Sequence, residues 1–442
     1  MDYYFIDLIC ITIHIVAICV LWRNWRGQSI LHPGIYFSAL WLISTISQWL
    51  ACKFDIMPLP NEPAIYELNK YAAYTSIIFM IFSFIGKKNH IRRDTFKIVE
   101  GKLGFIKVLL IISFASTIIS WIYSGASFNF NENRADIIDS QTHIGKSFTI
   151  VDSLLAICNS TLPFVTIAVG FYLGMLMATG KSKIEKKWII LPIIIAFIDA
   201  MSQGGRISVL NCIRNYIIGI GFSLPLFSIP KSKIIKLTVS FIIFAFIFLS
   251  FISIIGASRA DYTGHEYSFA RFGVFSGVVD YMTSHYWGFQ LRRIDYANDI
   301  DLYYGINTFY GFLNFRIPFS ASLGFDGNIW NIIGIDFDPL AIYKSGVEGS
   351  YTTSSQFMPL IADFGTTGAY YVIILLVYFT QKIFLSVIQK NKKTAVSLIL
   401  YYMFFCYWFG SNFNNGFMSL YTLFLAALLF ELVRIMCQKN LN

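Results

Sequence analysis

Charge is scarce in this sequence. Only 13% of its 442 residues are Asp, Glu, Lys or Arg, against 56% hydrophobic and 18% aromatic, and mean hydropathy is +0.60. A soluble domain carries about 25% charged residues, so a soluble globular chain is excluded and an integral membrane protein is expected. Cysteine is thin and scattered: seven residues (Cys10, Cys19, Cys52, Cys158, Cys212, Cys406, Cys437) sit in or beside apolar runs with no CxxC spacing. That argues against a disulfide framework and against a cysteine-built metal site. HExxH, P-loop, GxGxxG and GxSxG patterns are also missing in any credible context, which leaves protease, ATPase, dinucleotide and hydrolase readings unsupported. No repeat at fixed period occurs, so a transporter built from inverted repeats gains nothing. The N-terminus lacks a basic stretch before its first apolar run, which reads as a retained helix and not as a cleaved signal peptide.

What is present is a series of apolar runs about 20 residues long. They lie near Tyr3 to Trp22, Leu31 to Ala51, Tyr71 to Ile85, Leu103 to Tyr123, Phe148 to Ala178, Trp188 to Ser202, Ile207 to Phe227, Ile234 to Ile255, Phe357 to Phe379, Ala395 to Phe409 and Phe417 to Ile435. The expected fold is therefore an all-α polytopic membrane protein with about 11 spans, ten to twelve being defensible. The run at Phe148 is long enough to tilt or break. Lys and Arg collect in alternate connections: Arg23 and Arg26; Lys87 to Lys102; Lys181 to Lys187; Lys231 to Lys236; Lys382 to Lys393; and the tail with Arg434 and Lys439. Those connections are assigned to the cytoplasm. They hold most of the basic residues, so the net charge of +9 is a topology signal and not a nucleic-acid footprint.

The remaining connections face outward, and one of them is exceptional. Residues 256–356 form a polar stretch between apolar runs, with ten acidic residues against six basic ones. A loop of that size is more often functional than connecting. The chain thus reads as an N-terminal transmembrane bundle (1–255, about eight helices), a large extracytoplasmic loop (256–356) and about three C-terminal helices (357–442). Within the loop, Glu266 to Arg293 has Phe269, Phe272, Phe275, Val278 and Val279 at roughly helical spacing, which predicts one or two interfacial helices.

Arginines dominate the outward side: Arg134, then Arg206 closing a Ser-Gln-Gly-Gly-Arg turn, then Arg259, Arg271, Arg292, Arg293 and Arg316 along the loop. Arginine grips phosphate bidentately and keeps its charge. Gly204 and Gly205 before Arg206 allow a sharp turn, so that backbone N–H groups and a guanidinium would converge at a helix N-terminus, an anion site. An arginine near a helix end that merely reaches for the headgroups gives the same pattern. Arg214 and Asp199 fall deeper, where a structural pair is the simpler reading.

A second constellation, Arg259 to Arg271, places Asp261, His265 and Glu266 between two arginines directly after an apolar run. Transfer of a glycosyl group to a hydroxyl needs a base for the hydroxyl proton and cations for a departing diphosphate, and both are here. A solvated loop start with local ion pairs is the competing reading. Asp280 and His285 are second-choice bases or substrate contacts. His14, His32, His90 and His143 read as structural. The triplets at Asp299 to Asp301 and Asp336 to Asp338 are weak as metal sites, so neither a metal nor a cofactor is expected. Loop aromatics, among them Tyr281, Tyr286, Trp287, Phe289 and Trp330, suit sugar stacking and interface anchoring equally.

The layout, the turn at Ser202 to Arg206 and the segment SYTTSSQFMPLIADFGTTG from Ser350 to Gly368 resemble bacterial O-antigen polymerases, the repeat-unit polymerases often called Wzy. The resemblance implies a GT-C-like glycosyltransferase of the bacterial inner membrane, using undecaprenyl-diphosphate-linked oligosaccharide as donor and acceptor on the periplasmic side, with a chain-length regulator as partner. It implies diphosphate or glycan contacts at Arg206 and at Arg259 or Arg271, and fixes no catalytic base. The family commonly has an even number of spans with both ends inside, from which a count of about 11 departs. An O-antigen ligase, passing glycan to lipid A core, shares fold and donor. A lipid-linked-oligosaccharide flippase fits the long outer loop less well.

Overall fold

The computed structural model describes residues 3–25, 29–54, 62–85, 103–125, 149–179, 184–202, 207–223, 279, 282–290, 305, 308–309, 355–389 and 395–410. Among these there is no strand. In lipid every backbone N–H and C=O must be satisfied within the segment, so chain this rich in Ile and Phe becomes helical whatever its intrinsic β preference. The helices are α1 (Tyr3–Asn24), α2 (Pro33–Phe54), α3 (Glu62–Phe82), α4 (Leu103–Ser124), α5 (Ile150–Ser160), α6 (Leu162–Thr179), α7 (Lys186–Ser202) and α8 (Ile207–Ser223), then α9 (282–290), α10 (Phe357–Gln389) and α11 (Ala395–Phe409). Five stretches among the described residues are long and apolar enough to cross a membrane: α1, α2, α4, the run over α5 and α6, and α10. The protein is an α-helical membrane protein.

By contact the chain divides into two units. Unit 1 gathers Met1–Arg92, Ala245–Leu313 and Asp338–Met418; unit 2 gathers Arg93–Phe244, Asn314–Phe337 and Ser419–Asn442. Unit 1 therefore contains α1, α2, α3, α9, α10 and α11, and joins the start of the chain to a stretch near its end.

Within unit 1, helix α1 turns large apolar side chains outward and, Leu21 apart, polar or small ones inward. On α1 the buried positions are Asp7, Cys10, His14, Ala17 and Leu21, three or four residues apart, while Phe5, Leu8, Ile9, Ile15 and Val16 are exposed. Apolar side chains face where lipid would lie, and polar ones meet between helices, since hydrocarbon offers them no other partner. His14 Nδ1 lies 2.9 Å from Ser76 Oγ, which lies 2.9 Å from Ser38 Oγ. At one end of the unit Asn24 donates to Ser83 at 2.7 Å and His32 Nε2 lies 3.0 Å from Gln381 Oε1. His32 also stands edge-on to Phe384, and Tyr401 donates to the Leu31 carbonyl at 2.6 Å. His14 and His32 are thus knitted into helix packing.

In unit 2 the Phe148 to Ala178 run breaks at Thr161 into two helices, α5 and α6. A capping box, with Thr149 as N-cap and Asp152 answering it, starts α5, and Thr161 ends it. Ser113 of α4 meets the Thr161 hydroxyl at 3.2 Å, and Ser116 donates to Asn159. Helices α6 and α8 approach through glycine. A Cβ added at Gly219 would fall 2.1 Å from the Ile167 carbonyl oxygen and 2.8 Å from Gly170 Cα. Asp199 accepts a hydrogen bond from the Ser208 hydroxyl, and Arg214 is buried at 2% exposed. Outside the spans, Glu185 holds Lys187 at 2.7 Å and Lys107 at 3.2 Å. Those two lysines, Lys187 first, draw its carboxyl down to about 2.

Candidate functional site

At the opposite end of unit 1 from His32, the start of α1, the end of α2 and the start of α3 come together around one side chain, Asn69. It is fully buried. Its amide nitrogen donates to Asp7 Oδ1 at 3.0 Å and toward Gln48 Oε1 at 3.5 Å. Its amide oxygen accepts from the Tyr286 hydroxyl and, at 3.5 Å, from Thr45, and its backbone carbonyl accepts from Cys10 Sγ at 3.8 Å. Asn69 thus ties four elements together, and one of them, α9, comes from the polar stretch 256–356. The Lys and Arg distribution assigns this end of α1, α2 and α3 to the outside, as it does the polar stretch.

Helix α9 falls within the Glu266 to Arg293 stretch for which one or two interfacial helices are expected; of the apolar residues that carry that expectation, Val279 is described and is 1% exposed, while Phe269, Phe272, Phe275 and Val278 lie outside the described residues. His285, Tyr286 and Phe289 are all 0% exposed. The His285 ring stands edge-on to Trp41 at 5.0 Å and tilted against Tyr286 at 4.4 Å, and Trp41 also meets Phe357 at 5.5 Å. A helix too short to be stable alone is held because its aromatics and its Tyr286 hydroxyl are absorbed by α2 and α3.

The polar stretch touches unit 1 a second time. Asp363 of α10, fully buried, accepts the Thr308 N–H at 2.6 Å. Two residues later α10 is broken: Gly365 has φ 71 and ψ 170, a conformation open essentially to glycine alone. The interruption turns the Thr366 carbonyl to the Tyr71 hydroxyl, 2.8 Å away. Tyr71 stacks between Phe357 and Tyr370, with centroids at 5.6 and 4.5 Å. Gly305 has φ 96 and is packed against Phe309 and Phe364. Two glycine-only backbone positions therefore bracket the Thr308 to Asp363 bond.

Of the candidate catalytic and diphosphate- or glycan-binding residues singled out from sequence, His285 is the one that falls among those described. Burial pushes its imidazole down to about 3, so it is neutral at pH 7 and carries no charge for a diphosphate; its place is in the aromatic packing under Trp41. Asp261, His265, Glu266, Asp280, Arg206, Arg259, Arg271, Arg292 and Arg293 lie outside the described residues. Sequence reasoning passed over Asn69, Thr308, Gln356 and Asp363. The available signal was polar side chains within or at the edge of apolar runs, which are costly at that depth unless partnered. Among the described residues no group of three or more His, Cys, Asp or Glu is placed to hold a metal ion.

The lowered His285 value has a sign. Its folded pKa lies below the ordinary 6.5, so the neutral ring's contribution to stability is complete above about 6.5 and drains away as pH falls toward 3. Purified protein is expected to melt at lower temperature from pH 6.5 downward, and His285→Phe to lose less over that window, by at most ~1.4 kcal/mol per pH unit. Parallel melting-versus-pH curves for the two would refute the assignment.

Comparison with protein-family models, with curated proteins and with solved structures finds no match to this chain.

Proposed function

We propose that the protein polymerises lipid-linked glycan at the outer face of the bacterial inner membrane, as the resemblance to O-antigen polymerases implies. In this reading a hydroxyl of one undecaprenyl-diphosphate-linked repeat unit attacks the anomeric carbon of the glycan on another. The new glycosidic bond forms as the sugar-to-diphosphate bond breaks, undecaprenyl diphosphate leaves with the bonding electrons, and a base takes the hydroxyl proton. Glu266, His265 and Asp261 are the candidates for that base. Arg206, Arg259, Arg271, Arg292 and Arg293 are the candidates for holding the diphosphate, a charge-stabilising role that depends on being fixed beforehand.

The supporting observation is the burial of α9 with its Tyr286 hydroxyl on Asn69. The described part of the polar stretch is built into the bundle, and Arg292 and Arg293 follow the end of α9 in sequence by only two and three residues. Rigid anchoring next to cations is what a transferase working on a membrane-bound diphosphate requires.

Two experiments test the reading. In a strain lacking the protein, lipopolysaccharide carrying a single repeat unit on core supports it. Polymer retained on the lipid carrier with bare core indicates ligation instead, and intermediate held at the cytoplasmic face indicates flipping. In the intact strain, Arg206→Ala is expected to remove ~2 to 4 kcal/mol of transition-state stabilisation and shorten the glycan ladder at unchanged protein level. A ladder of full length excludes the role given to Arg206.

A further inference from the structure

Arginines suit a diphosphate, but a glycan also presents neutral hydroxyls, and these call for groups that both donate and accept. Among the described residues of unit 1, Gln356 and Thr308 have that character and no hydrogen-bond partner for their side chains. Gln356 is 1% exposed with neither amide atom hydrogen-bonded, and Thr308 is 1% exposed with its Oγ1 likewise unengaged. Buried polar atoms without partners cost stability that an apolar group of similar shape would not. Neither side chain has a structural task that accounts for this. The start of α10 is capped by Ser355, whose hydroxyl accepts the Phe357 N–H at 3.1 Å, so Gln356 is not needed there. Thr308 is anchored by its backbone N–H on Asp363, so its hydroxyl is not needed either.

The two sites belong together. Gln356 immediately precedes α10, Asp363 lies seven residues on, about 10 Å of helix rise, and the Thr308 N–H is bonded to Asp363. That is the span of a short saccharide. Around them the backbone departs from ordinary helix twice, at Gly305 and Gly365, and such departures collect where a site is shaped for a ligand.

We infer that Gln356 and Thr308 are hydrogen-bonding contacts for a neutral, hydroxyl-rich ring, a sugar of the glycan, with Asp363 as the positioning residue that holds Thr308 in place. The choice of ligand rests on the glycan-transfer reading above. Both side chains are closed off in this conformation, so binding requires the packing around Gln356 and Thr308 to open.

The test uses the purified full chain in detergent, with glucose, galactose and N-acetylglucosamine as probes and thermal melting as readout. At least one sugar is expected to raise the melting temperature of the wild type by about 2 °C. Gln356→Leu and Thr308→Val are each expected to melt at or above the wild-type temperature without sugar and to lose that increment. A Gln356→Leu protein that melts well below wild type would make Gln356 structural and overturn the inference. So would an increment that survives in both variants, or a wild type that none of the three sugars stabilises. The glycan ladder separates this result from the polymerase reading. If deleting the protein shortens the ladder but Gln356→Leu cells keep it, the inference falls and the reading stands. If sugar stabilisation is lost in the variants while deletion leaves the ladder intact, the reading falls and the sugar site stands.

Discussion

Replacing Gly219 with valine is expected to remove the protein from the membrane fraction. Helix α8 meets α6 backbone to backbone at this point. A Cβ there would lie 2.1 Å from the Ile167 carbonyl oxygen, 2.7 Å from Phe171 N and 2.8 Å from Gly170 Cα. All three are backbone atoms with no rotamer to escape into. The helices would have to separate along their length, and in a membrane that separation forfeits the close packing and carbonyl contacts that hold helices together where no hydrophobic force does. A loss of more than about 3 kcal/mol is expected, at the upper end for overpacked cores. Gly174→Ala provides the graded comparison. Its Cβ would first meet Ser223 Oγ, at 1.8 Å, an atom on a side chain that can rotate, so the cost should be smaller. Membrane-fraction abundance and melting temperature in detergent read both. Valine at 219 accumulating and melting like wild type would show that α6 and α8 are not in backbone contact.

Asn69→Leu is the second large effect, and it acts through several partners at once. The substitution strips Asp7 of the amide 3.0 Å from its carboxyl oxygen and Tyr286 of its acceptor. Leucine approximates the shape of asparagine, so the loss is electrostatic and not a cavity. The Asp7 carboxyl, 6% exposed, keeps its bond from Gln48, so the loss is one hydrogen bond to a buried carboxyl together with the Tyr286 acceptor, on the order of 2 to 4 kcal/mol. The double variant Asp7→Leu, Asn69→Leu should recover part of this, because the carboxyl that lost a donor is then gone as well. The size of the recovery is a coupling energy. Additive losses would mean that Asp7 and Asn69 do not depend on one another. Asn69→Leu should also release α9, visible as protease cleavage within residues 282–290 of otherwise intact protein.

Much of the helical frame was legible because apolar runs in lipid have one outcome. The runs at Leu103 and Ala395 begin where α4 and α11 begin. Where the reading and the structure part, polar residues are responsible. Helix α3 starts at Glu62, nine residues before the apolar run at Tyr71, because Glu62 to Lys70 carries Asn69 inward while Tyr66 and Lys70 face out. Hydropathy averages these and sees a loop. Helix α10 likewise runs on to Gln389, since Thr380 and Gln381 find buried partners in Trp408 and His32. The α9 aromatics suit sugar stacking and interface anchoring equally by composition, and nothing in their spacing shows that His285 and Tyr286 pack against Trp41. Partners that lie 217 residues apart, as Asn69 and Tyr286 do, leave no trace in local spacing.

Unit 1 recruits α10 and α11 to complete a bundle whose first three helices are synthesised well before them. His32 waits for Gln381, and the Leu31 carbonyl for Tyr401. At about 5 to 20 residues per second, the 274 residues between Phe82 and Phe357 take the ribosome roughly 15 to 55 s. Throughout that interval the contacts that His32, the Leu31 carbonyl and Tyr71 make with α10 and α11 are unmade, so a nascent chain stalled before residue 357 is one the membrane's quality-control proteases can recognise as unfinished.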